Sequence, residues 1–133
     1  LISAMVKIHQ YTILCAPTIS QFAALEALRD ASEDTLAMRA EYERRRNFFV
    51  NAFNELGLTT LMPEGAFYAF ANIQSTGLSS EEFCSQLLHA QKVAVVPGTA
   101  FGACGEGFIR ASYATAFEKL EQAVERVARF LGK

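Results

Sequence analysis

The fold is decided by the stretch Gly107-Phe108-Ile109-Arg110-Ala111-Ser112-Tyr113-Ala114, which is apolar or small except for one arginine. It follows a glycine-rich loop, a pattern typical of a turn that leads into a strand. In the segment that follows, the apolar positions recur every three or four residues: Phe117, Leu120, Val124, Val127 and Leu131. That spacing predicts a final helix that lies flat on the sheet to which the strand belongs.

Two more strands and a helix are predicted before this stretch. Residues 65–71 are rich in aromatic side chains without a helical period, which favours a buried strand. Residues 93–96 form a short apolar run stopped by a Pro-Gly pair, which indicates a second strand. Between them, Ser79 and Glu82 have the spacing of a capping box and predict a helix start at Ser80.

Helices are predicted for the first part of the chain. One pattern begins near Ile2, a second runs from Thr18 to about residue 29, and a third runs from about residue 32 to Leu56, where Gly57 ends it. Two further capping boxes are predicted, Thr18 with Gln21 and Thr115 with Glu118. Because the chain opens inside an apolar helical pattern without an initiator Met or a cap, we expect it to be a piece of a longer protein.

The order of these elements is three helices, then strand, helix, strand, strand, helix. This order predicts an α+β fold, a two-layer sandwich with helices packed on a small sheet whose strands need not be parallel. The 133 residues are 51% hydrophobic and 20% charged, as expected for a soluble globular chain. The formal net charge of -2 gives no electrostatic footprint for nucleic acid or an anionic membrane.

Localisation and redox state follow from what the sequence lacks. No apolar run approaches the roughly 20 residues needed to cross a bilayer, and no leader pattern is visible, so we expect a cytoplasmic protein. Cys15, Cys84 and Cys104 are widely spaced and odd in number, which predicts neither a disulfide framework nor a zinc site.

Arg110 is the leading candidate for a functional residue. A guanidinium in an apolar strand loses water and needs an anionic partner. Its planar fork of donors matches a carboxylate through two parallel hydrogen bonds, so a substrate acid group is one candidate partner. An internal ion pair with Glu106 or Glu64 is the alternative, and the residues alone leave the two equally open.

Other conspicuous residues have simpler interpretations. The glycine-rich loop 101–107 leads into a strand, whereas a phosphate-binding loop leads into a helix N-terminus, so we do not expect it to bind phosphate. Arginines 44–46 have Glu41 and Glu43 beside them, which indicates a solvated helix face. His9 and His89 have no nucleophile or second metal ligand near them in sequence, and we interpret both as structural.

Several segments in the same order resemble the C-terminal portion of class I/II aminotransferases, which are fold-type I pyridoxal-phosphate enzymes. These segments span essentially the whole chain: Lys7-Ile8-His9-Gln10-Tyr11, Ala16-Pro17-Thr18 with Gln21, Pro63 to Phe70, Val95 to Gly102, and Phe108 to Ala114. The resemblance implies interdomain helices in residues 1–31 and the small domain of such an enzyme in residues 32–133.

The resemblance also implies site residues and partners. Arg110 matches the arginine that binds the substrate α-carboxylate and orients the amino acid on the cofactor. Phe67 matches a residue near the substrate, and Thr18 matches a loop that reaches toward the partner subunit's cofactor phosphate. The implied cofactor is pyridoxal 5'-phosphate, the implied substrates are an amino acid and a 2-oxo acid, and the implied assembly is a homodimer.

One departure from the family pattern limits these implications. The lysine that forms the Schiff base lies upstream of this portion in such enzymes, and none of the chain's four lysines (Lys7, Lys92, Lys119, Lys133) has its sequence context. We therefore expect the isolated chain to be inactive. The same portion of a C–S lyase or decarboxylase of this fold type, and a free-standing amino-acid-binding module, are the alternatives.

Overall fold

The computed structural model of the protein describes residues 1–12 and 15–133. Its five helices are α1 (Ile2–Thr12), α2 (Thr18–Asp30), α3 (Ser32–Glu55), α4 (Ser80–Gln91) and α5 (Phe117–Phe130), and its three strands are β1 (Tyr68–Asn72), β2 (Val96–Pro97) and β3 (Phe108–Ser112). Short 3₁₀ turns occupy Gln74–Thr76, Gly98–Phe101 and Ala103–Gly105. No helix in this part of the chain is both long and apolar enough to cross a membrane.

The chain forms two compact units, residues 1–39 and residues 40–133, with the boundary inside α3. In the first unit, α1 and α2 bury none of their described residues. In the second unit, helices cover one face of a small sheet, which confirms the predicted α+β class. The predicted boundary after residue 31, between the interdomain helices and the small domain of a longer enzyme, stays a prediction.

The sheet is antiparallel throughout and has the order β1-β3-β2. Because side chains alternate across a strand, one face carries Ala69 and Ala71 of β1 with Ile109 and Ala111 of β3, and all four are at most 5% exposed. Side chains of α3, α4 and α5 complete the same core: Phe49, Phe53, Phe83, Leu87, Leu120 and Val127. The opposite face, which carries Tyr68, Phe70, Phe108 and Arg110, is the open face of the second unit, in the sense that the core formed with α3, α4 and α5 lies on the other side of the sheet.

The ends of α3 and α4 confirm two sequence predictions. Gly57 has φ +76°, and after it the Leu58 N–H donates to the Phe53 carbonyl at 3.0 Å, which is the Schellman ending that glycine favours. At the start of α4, the Ser79 hydroxyl accepts from the Glu82 N–H at 3.3 Å while the Ser79 N–H donates to the Glu82 carboxylate at 3.0 Å. Both halves of the capping box are present.

The other two predicted capping boxes are wrong. Helix α2 is preceded by Pro17 in an extended conformation, so Thr18 is already helical, and no side chain caps the helix. Helix α5 starts after Ala116, which leaves Thr115 one residue outside the cap position, and again no side chain caps it. In both cases the hydroxyl stands one residue away from where it could reach the third helical N–H.

Two predicted strands are shorter than expected. In the predicted strand 65–71, Ala66 has φ +60°, so the regular strand begins only at Tyr68. In the predicted strand 93–96, only Val96 and the adjoining Pro97 pair with β3. Residues 93–95 instead line a cavity of about 380 Å³ shared with Ala111 and Leu120, and Val93 and Val95 pack against the core without strand pairing.

Candidate functional site

Arg110 lies at the centre of the open face of the sheet. It is the middle residue of β3, between Ile109 and Ala111, which face the core. It pairs with Phe70 on β1 and with Val96 on β2, so the backbone that carries it is held on both sides. The alternation of the strand therefore places a half-buried guanidinium on the face of the sheet opposite the core.

Two aromatic rings hold the guanidinium. Its central carbon lies 4.2 Å from the ring centroid of Tyr68 and 4.4 Å from that of Phe101. Tyr68 lies on β1 opposite Ser112, whereas Phe101 ends the 3₁₀ turn after β2 and lines a cavity with Phe108, so the two rings lie on either side of Arg110 along β3. Both contacts are within the range of favourable cation–π interactions.

The predicted alternative, an internal ion pair of Arg110, is wrong. Within residues 1–12 and 15–133, every ion pair between side chains lies in α3: Glu41 with Arg44 and Arg45, and Glu43 with Arg46. The carboxylate of Glu106 is used elsewhere, since it accepts from the Ser80 N–H at 2.9 Å. Arg110 therefore keeps an uncompensated positive charge among the described residues.

The loop that leads into β3 is fixed to the start of α4 through Ser80. The side chain of Ser80 is fully buried, and its hydroxyl accepts from the Gly107 N–H at 2.9 Å and donates to the Gly105 carbonyl at 3.4 Å. Together with the bond from its own N–H to Glu106, this residue contacts three successive loop residues. These hydrogen bonds fix the loop as far as Gly107, three residues before Arg110.

A glycine contact closes the same loop. Gly98, at the start of the turn that carries Phe101, packs directly on the backbone of Gly105, and a Cβ atom on either residue would collide with the other's backbone. Only glycine permits this approach, because any side chain would push the two segments apart. The contact couples the turn bearing Phe101 to the loop that precedes Arg110.

Phe67 lies next to this arrangement, just before β1. Its ring centroid is 4.5 Å from that of Tyr68 and 6.2 Å from that of Tyr42, and the side chain is 41% exposed. Its carbonyl accepts from the Tyr113 N–H at 3.0 Å and from the Ser112 hydroxyl at 3.3 Å. The structure thus brings Phe67 to the ring that contacts Arg110, and its role near a substrate stays a prediction.

Tyr113 fixes the turn in front of Phe67. Its side chain is buried, and its hydroxyl donates to the Ala66 carbonyl at 3.1 Å. Burial raises the pKa of the Tyr113 phenol above its ordinary value. Because Ala66 has φ +60°, a conformation uncommon for a residue with a side chain, this bond helps to hold the turn in place.

The cofactor prediction concerns Thr18 and the lysines. Thr18 is the first residue of α2 in the first unit, where its side chain is exposed. In the second unit the three lysine ammonium groups donate to local acceptors: Lys92 to the His89 carbonyl, Lys119 to the Gln122 side chain, and Lys133 to the Leu56 carbonyl. None of these lysines belongs to the strands or turns around Arg110.

Metal binding and histidine chemistry find no support in the described part of the chain. It holds no group of three or more His, Cys, Asp or Glu side chains that could bind a metal ion. The His89 ring nitrogen Nδ1 is 2.7 Å from the Ser85 carbonyl of its own helix, in keeping with a structural role. Burial, followed by the charge of Glu81, raises the pKa of the Cys84 thiol to about 11, so this cysteine is a poor nucleophile.

The sequence and the family resemblance predict roles for Arg110 and Phe67, which stay predictions, but not for Tyr68, Phe101 or Ser80. The aromatic residues are visible in the sequence, yet only the strand order shows that they meet at Arg110. Ser80 was assigned to a helix start, and nothing in the sequence connects it to a loop about 25 residues later.

These features define the class of protein: an α+β domain whose sheet presents one uncompensated arginine between aromatic rings on its open face. The family model described as aminotransferase class I and II matches residues 1–127. The chain belongs to the class I and II aminotransferase family.

Individual relatives agree with this assignment. YugH of Bacillus subtilis (strain 168) is 56% identical over 130 residues, which are 98% of this chain and 34% of that protein. The aspartate aminotransferase of Pyrococcus abyssi is 50% identical over 133 residues, with 98% and 34% covered. The crystal structure of the aromatic aminotransferase from Pyrococcus horikoshii OT3 has a TM-score of 0.89 and 49% identity, covering 98% of this chain and 36% of that one. The chain thus spans about a third of the length of the relatives it matches.

Proposed function

We propose that this chain is the substrate-carboxylate-binding part of a pyridoxal-phosphate-dependent aminotransferase, which transfers an amino group between an amino acid and a 2-oxo acid. In this proposal Arg110 binds the α-carboxylate of the substrate and Phe67 lies beside it. The observation that carries the proposal is the uncompensated guanidinium of Arg110 on the open face of the sheet, in a chain of the aminotransferase family.

Arg110 suits a carboxylate for three physical reasons. It is half-buried, so a bound anion is partly shielded from water and the pair is stronger than at a free surface. It forms no ion pair with another described residue, so an incoming carboxylate does not have to displace an acid. Its fork of N–H donors matches two carboxylate oxygens in one plane.

The cofactor and the assembly are part of the same proposal. Pyridoxal 5'-phosphate would be held by the longer protein, whose Schiff-base lysine would come from outside these 133 residues. Thr18 would contribute toward the cofactor phosphate of a partner subunit in a homodimer, and its position in the first turn of α2 supports this because helix N-termini favour anions.

The decisive experiment compares an amino acid with its decarboxylated amine, using the full-length enzyme that contains this chain. Arg110→Ala is expected to lower kcat/KM for the amino acid by about 30- to 5,000-fold, which corresponds to about 2–5 kcal/mol for a partly buried charge pair. The amine lacks the carboxylate, so its kcat/KM is expected to change little. Arg110→Lys retains the charge without the fork and is expected to fall between the two.

Arg129→Ala is the matched control, because Arg129 is exposed on α5. It is expected to leave both substrates unaffected. An equal loss for the amino acid and the amine in Arg110→Ala contradicts the carboxylate role.

A second test uses the 133-residue chain alone with pyridoxal phosphate and borohydride. Stoichiometric labelling of one lysine contradicts the proposal that the Schiff-base lysine lies elsewhere.

A further inference from the structure

We propose that Tyr68 and Phe101 are positioning residues that cover the faces of the Arg110 guanidinium, so that the site accepts planar carboxylates in preference to tetrahedral acids. The inference rests on the proposed function, since it concerns how Arg110 receives the acid group of a substrate. It adds that the preference for carboxylates over tetrahedral acids depends on the two rings and not on the arginine alone.

The geometry that carries the proposal is the close approach of both rings to one guanidinium. The central carbon of Arg110 lies 4.2 Å from the Tyr68 centroid and 4.4 Å from the Phe101 centroid. Tyr68 pairs with Ser112 on one side of Arg110 along β3, and Phe101 lines a cavity with Phe108 on the other side, so the proposal takes the guanidinium to lie between the two rings. A guanidinium has two flat faces and carries all five N–H donors in its plane. With rings against the faces, only the edge is left for an anion.

An edge-on approach distinguishes two kinds of acid. A carboxylate is planar and accepts two parallel hydrogen bonds in the plane of the guanidinium. A phosphonate is tetrahedral, so when two of its oxygens lie in that plane the third projects above or below it, toward one of the rings. An anionic oxygen meets the negative face of an aromatic ring unfavourably. The arrangement therefore favours the planar acid.

The rings also hold Arg110 without neutralising it. A carboxylate neighbour would fix the side chain equally well, but it would occupy the donors that a substrate needs. Aromatic faces attract the cation through their quadrupole, and this attraction is stronger when the cation is partly desolvated. Arg110 is half-buried, so both conditions are met.

Both rings are themselves supported from behind. The Tyr68 ring packs on Phe67 with centroids 4.5 Å apart, and the Phe101 ring meets Phe70 edge-on at 5.7 Å. The turn that carries Phe101 is anchored at Gly98 by its contact with the loop before β3. Rings held in this way orient the arginine before a substrate arrives, which reduces the entropy lost on binding.

The first experiment replaces each ring in the full-length enzyme. Tyr68→Leu and Phe101→Leu are expected to raise KM about 3- to 30-fold for the amino acid that the wild type uses best, with a smaller change in kcat. The kcat/KM of its decarboxylated amine is expected to stay constant. The preference for the amino acid over its 1-aminophosphonate counterpart is expected to fall by a similar factor.

Two controls separate positioning from general damage. Tyr68→Phe keeps the ring and is expected to behave as wild type. Phe108→Leu removes a ring from the same face of the same strand, two residues from Arg110, and is expected to leave the carboxylate-to-phosphonate preference unchanged. In an Arg110→Ala background, Tyr68→Leu is expected to add little, because a ring that acts through Arg110 has nothing left to position.

The outcomes distinguish this inference from the proposed function. If Arg110→Ala affects amino acid and amine alike, the proposed function fails. If Arg110→Ala lowers kcat/KM for the amino acid but not for the amine, the carboxylate role stands. If in that case Tyr68→Leu and Phe101→Leu both behave like Phe108→Leu, the positioning role is wrong.

A second experiment needs no catalysis and uses the 133-residue chain. Ring currents from Tyr68 and Phe101 are expected to move the guanidinium proton signals of Arg110 upfield in the NMR spectrum, and Arg110→Lys identifies these signals by their loss. Tyr68→Leu and Phe101→Leu are each expected to move these signals back toward the chemical shift of an ordinary arginine. The control Phe108→Leu is expected to leave them in place. Signals at the ordinary position in the wild-type chain overturn the stacking on which the proposal depends.

Discussion

Replacing Ser80 with alanine tests whether the loop before Arg110 depends on one buried hydroxyl. The variant removes a hydrogen bond of 2.9 Å from the Gly107 N–H and a longer one of 3.4 Å to the Gly105 carbonyl. Gly107 is buried, so its N–H is left without a partner, which costs about 1–3 kcal/mol. Alanine is the better helix former by roughly 0.5 kcal/mol. The expected net loss in the free energy of unfolding is therefore about 0.5–2.5 kcal/mol.

The assay is urea unfolding followed by circular dichroism, because the chain contains no tryptophan. With a urea dependence of about 2 kcal/mol per molar, the midpoint of Ser80→Ala is expected to fall by about 0.3–1.2 M. Ser85→Ala is the matched control, since Ser85 lies on the same helix and is exposed. Equal midpoints for the two variants refute the reasoning, because the buried hydroxyl would then contribute nothing that an exposed one does not.

Two other predictions address the glycine contact and the pH dependence. Gly98→Ala or Gly105→Ala is expected to lower the free energy of unfolding by about 3 kcal/mol or more in the same assay, while Gly65→Ala, whose Cβ meets no atom within 4 Å, is expected to be tolerated; equal midpoints for all three contradict the close approach. The pKa of Glu41 is lowered from 4.5 to about 2, chiefly by its hydrogen bond with Arg44. Because this folded-state pKa lies below the unfolded one, the stabilisation by Glu41 is present above pH 4.5 and lost as the pH falls toward about 2. An NMR titration of the Glu41 carboxyl group checks this, and a midpoint near 4.5 contradicts it.

Helix starts show where sequence patterns suffice and where they do not. Three pairs have capping-box spacing, but only Ser79 with Glu82 forms the box. The pattern specifies which side chains can cap, whereas the cap position depends on where the backbone leaves the extended conformation. At α2 and α5 that residue is Pro17 or Ala116, which has no side-chain oxygen to offer.

The strands give a similar lesson about partners. An apolar run such as residues 93–96 predicts an extended, half-buried segment. In the structure the three valines are partly buried and Ala94 is exposed. Ladder bonds also require a partner in register, and β3 supplies one only to Val96 and Pro97. Hydrophobic pattern determines which side chains avoid water, but strand pairing is decided by neighbours that the run itself does not encode.

Arg110 shows the same distinction at the site. Its need for a stabilising neighbour could be predicted from the sequence, because a guanidinium in an apolar strand loses water. The expected stabiliser was an anion, and among the described residues the structure provides Tyr68 and Phe101 instead. That difference bears on the proposed function, because an acid from the protein would have occupied the donor edge of the arginine. In the proposal the aromatic faces stabilise the cation and leave this edge to a ligand, so the rings that stabilise the arginine in the sheet would also keep it available for a carboxylate.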